Sequence, residues 1–227
     1  MSDLDHFPSV ERLWQGALLG TIVHAIAMAP DAELSYELSW EGMNYSRQDS
    51  QDTRGTVTFG PQGVVGVIRD DGSKRTPWRR RKPVHYGEFL AGIPADLLAL
   101  AEREALQYVL DEYEGEEGPI ITTAFWSQDS ALVSADSVAD FLKHGGHVLE
   151  LELLEPAESL PIWEEYYDLD APSLQLARAL HDRRLAAASL PVPISADEWA
   201  VIASHGSAGI AETHGLLAAI GFEIPRT

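Results

Sequence analysis

The chain contains no cysteine among its 227 residues. This absence excludes disulfide bonds, thiol catalysis and cysteine-ligated zinc or iron–sulfur centres, so a metal site would have to use histidine and carboxylate ligands. A chain of this length buries roughly 70% of its unfolded surface and forms a core without covalent cross-links. The lack of cysteine is compatible with a reducing compartment, and we expect a cytoplasmic protein.

Basic side chains are scarce, because 16 lysines and arginines face 36 aspartates and glutamates, for a formal net charge of -20. A molecule this negative repels phosphate backbones and anionic lipid surfaces, so nucleic acid and membranes are not expected partners. A cationic protein is a candidate partner, although acidity also serves solubility.

No positively charged leader precedes the uncharged run from Leu13 to Pro30. A secretory signal begins with a positive region, whereas the first twelve residues hold three acids and one arginine. The run is also too polar and too short for a membrane span. Its apolar residues recur at helical spacing until the proline, which predicts a largely buried helix over residues 9–29.

Several segments have the pattern of β-strands. Residues 33–40 alternate apolar and polar side chains, which predicts a half-buried strand. The runs 54–59 and 64–70 flank a turn of glycine and proline and predict a hairpin. Segments 120–126 and 148–154 are predicted to add two strands, so the sheet is expected to be antiparallel with about five strands.

The remaining periodic segments predict helices. Beyond Pro172 the composition becomes rich in alanine, and Ser195 to Glu198 form a capping box. The predicted helices lie at 94–114, 134–143, 173–189, from 195 onward, and 208–219. The expected fold class is therefore α+β. An α+β domain over 1–171 precedes a C-terminal helical segment over 172–227, which either belongs to that domain or stands apart.

Eight large side chains occupy the apolar positions of these segments. Their spacing predicts that they form the core. They are Trp14, Ile22, Tyr36, Leu38, Leu98, Val109, Leu149 and Leu151.

Three stretches are similar to those of a bacterial family: FLKHGGHVLELELLEP at 141–156, IWEEYYDLD at 162–170 and AFWS at 124–127. Over residues 33–168 the chain resembles bacterial proteins of an uncharacterised family. The resemblance implies a bacterial, cytoplasmic protein. It carries no assigned activity and therefore implies neither catalytic residues nor a substrate.

His144 and His147, in the sequence HGGH, are candidate metal ligands together with Glu150 or Glu152. Imidazole and carboxylate groups suit zinc or iron. The two glycines are also typical of a helix end and a turn into the next strand, which explains the motif without a metal. The sequence has no phosphate-binding loop, nucleophile elbow or dinucleotide fingerprint, so no cofactor is expected.

Residues 74–82, KRTPWRRRK, contain six basic side chains and no acid. Trp78, Arg79, Arg80 and Arg81 form a candidate anion-binding site, because the ring can stack while guanidinium groups pair with the anion. The segment lies in a very acidic molecule, however, and pairing with the protein's own carboxylates is the favoured interpretation.

Aromatic and acidic side chains share one short segment between Pro161 and Pro172. Large aromatics can anchor a partner, and carboxylates can steer a cationic one. The predicted partner-binding surface consists of Trp163, Glu164, Glu165, Tyr166, Tyr167 and Asp168. The alternative is a helix face on which the aromatics pack against the sheet and only the carboxylates are exposed.

Three classes of function remain. The leading hypothesis is a non-enzymatic protein-binding module, such as an immunity or regulatory protein, that engages a cationic partner. One alternative is a metal-dependent hydrolase that uses histidine and carboxylate ligands. The other is a structural or regulatory homo-oligomer.

Overall fold

The computed structural model describes residues 6–225 and shows an α+β fold. The α-helices are α1 Val10–Met28, α2 Pro77–Arg80, α3 Ala95–Arg103, α4 Val138–Lys143, α5 Glu150–Leu153, α6 Pro156–Tyr167, α7 Ala171–Ala186, α8 Ala196–Ala203 and α9 Ile210–Ala219. The strands are β1 Leu38–Glu41, β2 Asn44–Gln48, β3 Thr53–Gly60, β4 Gly63–Asp70, β5 Leu110–Tyr113, β6 Glu116–Pro119, β7 Thr123–Gln128, β8 Ala131–Val133, β9 Val192–Pro193 and β10 Phe222–Glu223. Short 3-10 helices lie at Ala32–Tyr36, Tyr86–Glu88, Ala105–Val109 and Gly146–Leu149.

The central sheet has six antiparallel strands in the order β1-β2-β3-β4-β7-β8. The predicted hairpin forms from β3 and β4, and Gly60 pairs with Gly63 at its turn. The α+β class and the antiparallel sheet are therefore confirmed.

The two faces of the sheet are covered by different elements, as the alternation of side chains in β4 requires. Val65 and Val67 join the cluster that α3 and the 3-10 helix at 105–109 complete. Val64 and Ile68 point to the other face and pack with α1, α4 and α5. The sheet consequently lies between α3 and α1.

Helix α1 confirms the prediction for residues 9–29 and forms the centre of the molecule. Every residue from Gly16 to Met28 is buried. One side of α1 packs on the sheet, and the other shares a hydrophobic cluster with α6, α7, α8 and α9. The run from 13 to 30 lacks charged side chains because it has no wide face toward solvent.

The predicted strand at 33–40 is wrong over most of its length. The Asp31 side chain accepts a hydrogen bond from Glu33 N, which starts a 3-10 helix, and the strand begins only at Leu38. This local bond competes with strand pairing directly after α1 ends. Tyr36, predicted to be core, is 48% exposed.

The predicted helix at 94–114 ends early. Its second half forms a 3-10 helix and strand β5, which pairs with β6 in a hairpin. Glu114 and Gly115 turn the chain with φ values of 54° and 86°. Two successive residues with positive φ are typical of a tight hairpin turn, and the acidic run around them favours exposed strands over a packed helix.

The segment 148–154, predicted as a strand, is helical: α5 directly follows the 3-10 helix at 146–149. The sequence LELELL has leucines spaced by two, but Leu149 and Leu153 are also four apart, which places both on one buried helix face. The short helix predicted from Ser134 begins later, with Ser137 as its N-cap.

Four of the eight predicted core residues are confirmed. Ile22, Leu38, Val109 and Leu149 are buried. Trp14, Leu98 and Leu151 are half-buried and pack against the clusters.

The C-terminal segment forms the predicted helices as α7, α8 and α9. The capping box of Ser195 and Glu198 is present in both directions at the start of α8. Two short strands, β9 and β10, also pair in parallel, although the sequence showed no strand pattern there. Within residues 6–225, none of the helices combines the length and apolarity needed to cross a bilayer.

Candidate functional site

The acidic aromatic segment lies in helix α6 and just beyond it. Pro156 occupies the first turn, and the side chains of Glu155 and Glu158 form a capping box with each other's backbone. Both features start a helix at this point. The helix ends at Asp168, which adopts a left-handed conformation with φ of 50°.

Helix geometry divides the predicted partner-binding residues between two faces. Trp163 is 1% exposed and stacks on Tyr167, with ring centroids 5.7 Å apart and planes inclined by 7°. Tyr166 is 54% exposed, and Glu164, Glu165 and Asp168 are also exposed. The structure therefore places Trp163 in the core, away from any partner surface, because positions 163 and 167 both face inward.

Beneath α6, the Tyr167 hydroxyl belongs to a polar network. It donates to Glu37 Oε2 at 2.8 Å and accepts from Arg47 Nη1 at 3.2 Å. His24 Nδ1 lies 2.8 Å from the same oxygen. Because the single hydroxyl hydrogen points to Glu37, His24 must donate from Nδ1, which leaves its Nε2 as an acceptor. Glu37 and Arg47 are 5% and 7% exposed, so this charged pair is largely desolvated.

The network continues through Arg47 to α5. Arg47 Nε lies 3.6 Å from Glu152 Oε1, which also accepts a 2.6 Å hydrogen bond from the Tyr45 hydroxyl. The Arg47 guanidinium lies 4.8 Å from the centre of the Trp163 ring. One cation on β2 thus contacts groups from α5, α6 and the chain before β1.

Burial changes the acid–base properties of these groups. It raises the pKa of Glu152, an effect that Arg47 opposes. Burial also raises the pKa of Tyr167 and lowers the pKa of His24 to about 3, with a further lowering by Arg47. Although burial alone would lower the pKa of Arg47, Tyr167 and Glu152 raise it, so the guanidinium stays charged.

This network, made of His24, Glu37, Tyr45, Arg47, Glu152 and Tyr167, was missed by the sequence analysis. The one sequence signal is His24, because it is the only ionisable side chain between residues 13 and 30. Three of the atoms in and around the network, His24 Nε2, Glu152 Oε2 and Trp163 Nε1, have no hydrogen-bond partner among the described residues. The groups are buried from solvent, so we assign the network to holding α6 against the sheet.

Acid should destabilise the protein through His24. The unfolded histidine has a pKa of about 6.5, whereas the folded one titrates only near 3, so stability is full above pH 6.5 and falls as the pH drops toward 3. His24→Gln, which cannot be protonated, should reduce the loss of unfolding free energy between pH 6.5 and pH 5 by about 1.5 kcal/mol.

The measurement is urea unfolding across this pH range. His144 and His181, whose pKa values burial also lowers, contribute to the wild-type slope in the same window. A His214→Gln variant, at an exposed position, controls for loss of a histidine. Identical pH profiles for wild type and His24→Gln would contradict the burial of a neutral imidazole.

Large apolar side chains are exposed on α6 and on the chain segment beside it. Ile162 and Tyr166, one helical turn apart on α6, are 41% and 54% exposed. Tyr36, 48% exposed, lies near Tyr166, whose hydroxyl donates to Glu37 Oε1 at 3.3 Å. Six large hydrophobic side chains are exposed in the described part of the chain. Three of them therefore lie in this one region. We call the exposed side chains of this region, Tyr36, Ile162, Glu164, Glu165, Tyr166 and Asp168, the α6 face. At about 100° per residue, Glu165 flanks Ile162 and Tyr166, whereas Glu164 lies on the far flank of the helix.

The basic segment 74–82 is partly neutralised within the molecule. Arg75 forms a bidentate pair with Asp136, and Arg80 Nη1 lies 2.7 Å from Glu88 Oε2. The Trp78 ring already contacts a cation from outside this segment, because the Arg69 guanidinium lies 5.1 Å from the ring centre. Of the predicted anion-binding residues, Arg79 and Arg81 remain exposed and have no ion pair within residues 6–225. Pairing with the protein's own carboxylates, the favoured interpretation, therefore holds for Arg75 and Arg80.

His144 and His147 point to separate partners. His144 Nδ1 lies 2.8 Å from Ser73 Oγ, whereas His147 Nε2 lies 3.5 Å from Asp49 Oδ2. Gly145, with φ of 117°, ends α4 as the glycine pattern predicted, but the chain continues into a 3-10 helix and not into a strand. In the described part of the chain no three histidine or carboxylate groups are placed to hold a metal ion.

A serine, a histidine and an aspartate meet at the start of α7. Ser173 Oγ and Asp170 Oδ2 lie 3.1 Å and 3.7 Å from His205 Nε2. A catalytic triad needs the hydroxyl and the carboxylate on opposite ring nitrogens, whereas both approach the same one here. Asp170 caps α7 by accepting from Ser173 N, so the cluster is a helix cap.

Comparison with known proteins gives no match: no family model, no curated protein and no solved structure is similar to this chain. The resemblance over residues 33–168 stays a prediction. Functional inference therefore depends on the geometry of the chain itself.

Proposed function

We propose that the protein is a non-enzymatic binding module that engages a cationic protein through the α6 face. The observation that supports this is the grouping of Tyr36, Ile162 and Tyr166, three exposed apolar side chains, at a helix whose exposed carboxylates have no ion pair among the described residues. An exposed apolar patch with a polar rim is typical of protein interaction sites. Immunity to a basic toxin or regulation of a basic protein in the cytoplasm fits this role.

The arrangement suits a cationic partner for two physical reasons. A net charge of -20 accelerates the approach of a positive surface and repels a negative one. The buried network fixes α6, so the exposed aromatic side chains are presented without a large ordering cost on binding. Glu164, Glu165 and Asp168 then pair with basic groups at the rim.

Capture from the native host, followed by identification and purification of the captured protein, tests this proposal. The purified partner should be basic. Calorimetry should show that it binds the double variant Glu164→Lys/Glu165→Lys at least tenfold more weakly than wild type. A similar loss is expected for Ile162→Ala, Tyr166→Ala, because hot-spot side chains typically contribute 2 kcal/mol or more, which is about a 30-fold change.

The matched control is Glu112→Lys, Glu114→Lys, which makes the same change in net charge at exposed positions of the β5–β6 hairpin. This control should bind nearly as well as wild type at physiological salt, where exposed charges are screened over about 8 Å. A captured partner that binds wild type and both α6 variants equally would contradict the proposal. So would equal losses in the α6 and hairpin charge variants.

A further inference from the structure

A pocket of about 450 Å³ opens on the other side of the molecule, between the loop at 83–88 and the β5–β6 hairpin. Its size falls within the range of about 300–1,000 Å³ that is typical of small-molecule sites. None of its lining residues belongs to the α6 face. Nothing in the fold or in the proposed function requires a cavity at this position.

Aromatic and apolar side chains form its walls. His85 stacks on Tyr86 with ring centroids 4.4 Å apart, and the Tyr86 hydroxyl donates to Glu102 Oε1 at 2.8 Å, which fixes the ring. Tyr113 contributes to the lining from the hairpin side. Pro77 and Ile120 are buried or nearly so and add apolar surface.

The charged groups that line the pocket are all carboxylates. Two of them have ion pairs: Glu88 pairs with Arg80 at 2.7 Å, and Asp111 pairs at 2.5 Å with Arg69, which Asp71 shares. The other two, Glu116 and Glu117, have no ion pair within residues 6–225 and are exposed at the hairpin. The pocket thus combines aromatic side chains with carboxylates that have no ion pair in the described part of the chain.

We propose that this pocket binds an organic cation: an ammonium or guanidinium group on an apolar stem. The faces of Tyr86 and Tyr113 would attract the cation through their ring quadrupoles, and Glu116, which lies opposite Tyr113 in the hairpin register, would compensate its charge. The proline and isoleucine surface would bury the stem. A hydrated metal ion fits less well, because it gains little from aromatic and proline walls and prefers several converging oxygen ligands.

Titration of small molecules into the protein, followed by NMR and calorimetry, tests the proposal. The cations are agmatine, choline and N-acetyl-arginine N-methylamide, and the neutral control is N-acetyl-norleucine N-methylamide. We expect saturable binding of at least one cation, with shifts at Tyr86, Tyr113 and Gly118, and at least tenfold weaker binding of the neutral compound. Tighter binding of agmatine or choline would assign a free small organic cation as ligand. Tighter binding of the arginine amide would assign a protein side chain.

Variants separate this site from the general attraction of cations to an acidic protein. The single variants Glu116→Gln and Tyr113→Ala should each weaken binding at least fivefold. Glu112→Gln, on the same hairpin but outside the lining, should leave affinity within twofold. Linear, non-saturating shifts, equal binding of the neutral analogue, or an equal loss in Glu112→Gln would each overturn the proposal.

Discussion

Replacing Gly16 with alanine is expected to lower the unfolding free energy by about 3 kcal/mol or more, as severe overpacking does. A Cβ atom on Gly16 would lie 1.9 Å from the carbonyl oxygen of Glu152 and 2.6 Å from its carbonyl carbon. These are backbone atoms of α5, which cannot rotate away as a side chain can. The clash would separate α1 from α5 and disturb the buried network that begins at Glu152.

Gly20, one helical turn farther along α1, provides the matched control. A Cβ there would meet Glu152 Oε1, Trp163 Cζ2 and the Tyr45 hydroxyl at 3.4, 3.5 and 3.6 Å, which are ordinary contacts. Gly20→Ala should therefore be neutral or should stabilise the helix by up to about 1 kcal/mol. Urea unfolding measures both variants, and equal stability of Gly16→Ala and Gly20→Ala would disprove the close α1–α5 contact.

Replacing Arg47 with methionine is expected to cost about 3–5 kcal/mol, the usual result of removing one partner from a buried ion pair. Arg47 is 7% exposed, and Glu37 and Glu152 are 5% and 0% exposed. Without the guanidinium, these carboxylates would remain buried with no compensating charge. Tyr167 and Trp163 would also lose their contacts with the cation, so the inner face of α6 would loosen.

A second substitution tests this explanation. Glu152→Gln in the Arg47→Met background removes one of the two uncompensated carboxylates and should restore at least about 1 kcal/mol, the coupling typical of neighbours in one network. Arg103→Met is the surface control, because its ion pair with Glu104 is exposed and should contribute less than about 1 kcal/mol. An Arg47→Met protein as stable as wild type would show that the network does not hold α6.

The sequence correctly predicted those elements whose ends are defined by neighbouring residues. Ser9 caps α1 and a proline follows its end, so both bounds could be placed from short-range rules. The hairpin of β3 and β4 is marked by two β-rich runs and a tight turn, and Ser195 with Glu198 marks the start of α8. Neither feature needs distant residues to define it.

Ambiguous periodicity explains the elements that were predicted wrongly. Leu149, Leu151 and Leu153 alternate as in a strand, yet Leu149 and Leu153 also fit one helix face. The backbone of this segment packs against Gly16, and that contact favours the helix. At 33–40, an Asp31 cap selects a 3-10 helix over the strand that the pattern indicates.

The candidate sites depended most on tertiary structure. The sequence by itself determined that the chain is acidic, that it lacks thiol chemistry, and that aromatic and acidic residues share the segment from 162 to 168. Only packing decided that Trp163 turns inward to Arg47 while Tyr166 turns outward, and that Glu116 meets Tyr86 across a pocket. These groups lie far apart in the chain, and composition and periodicity contain no information about which distant side chains share one desolvated space.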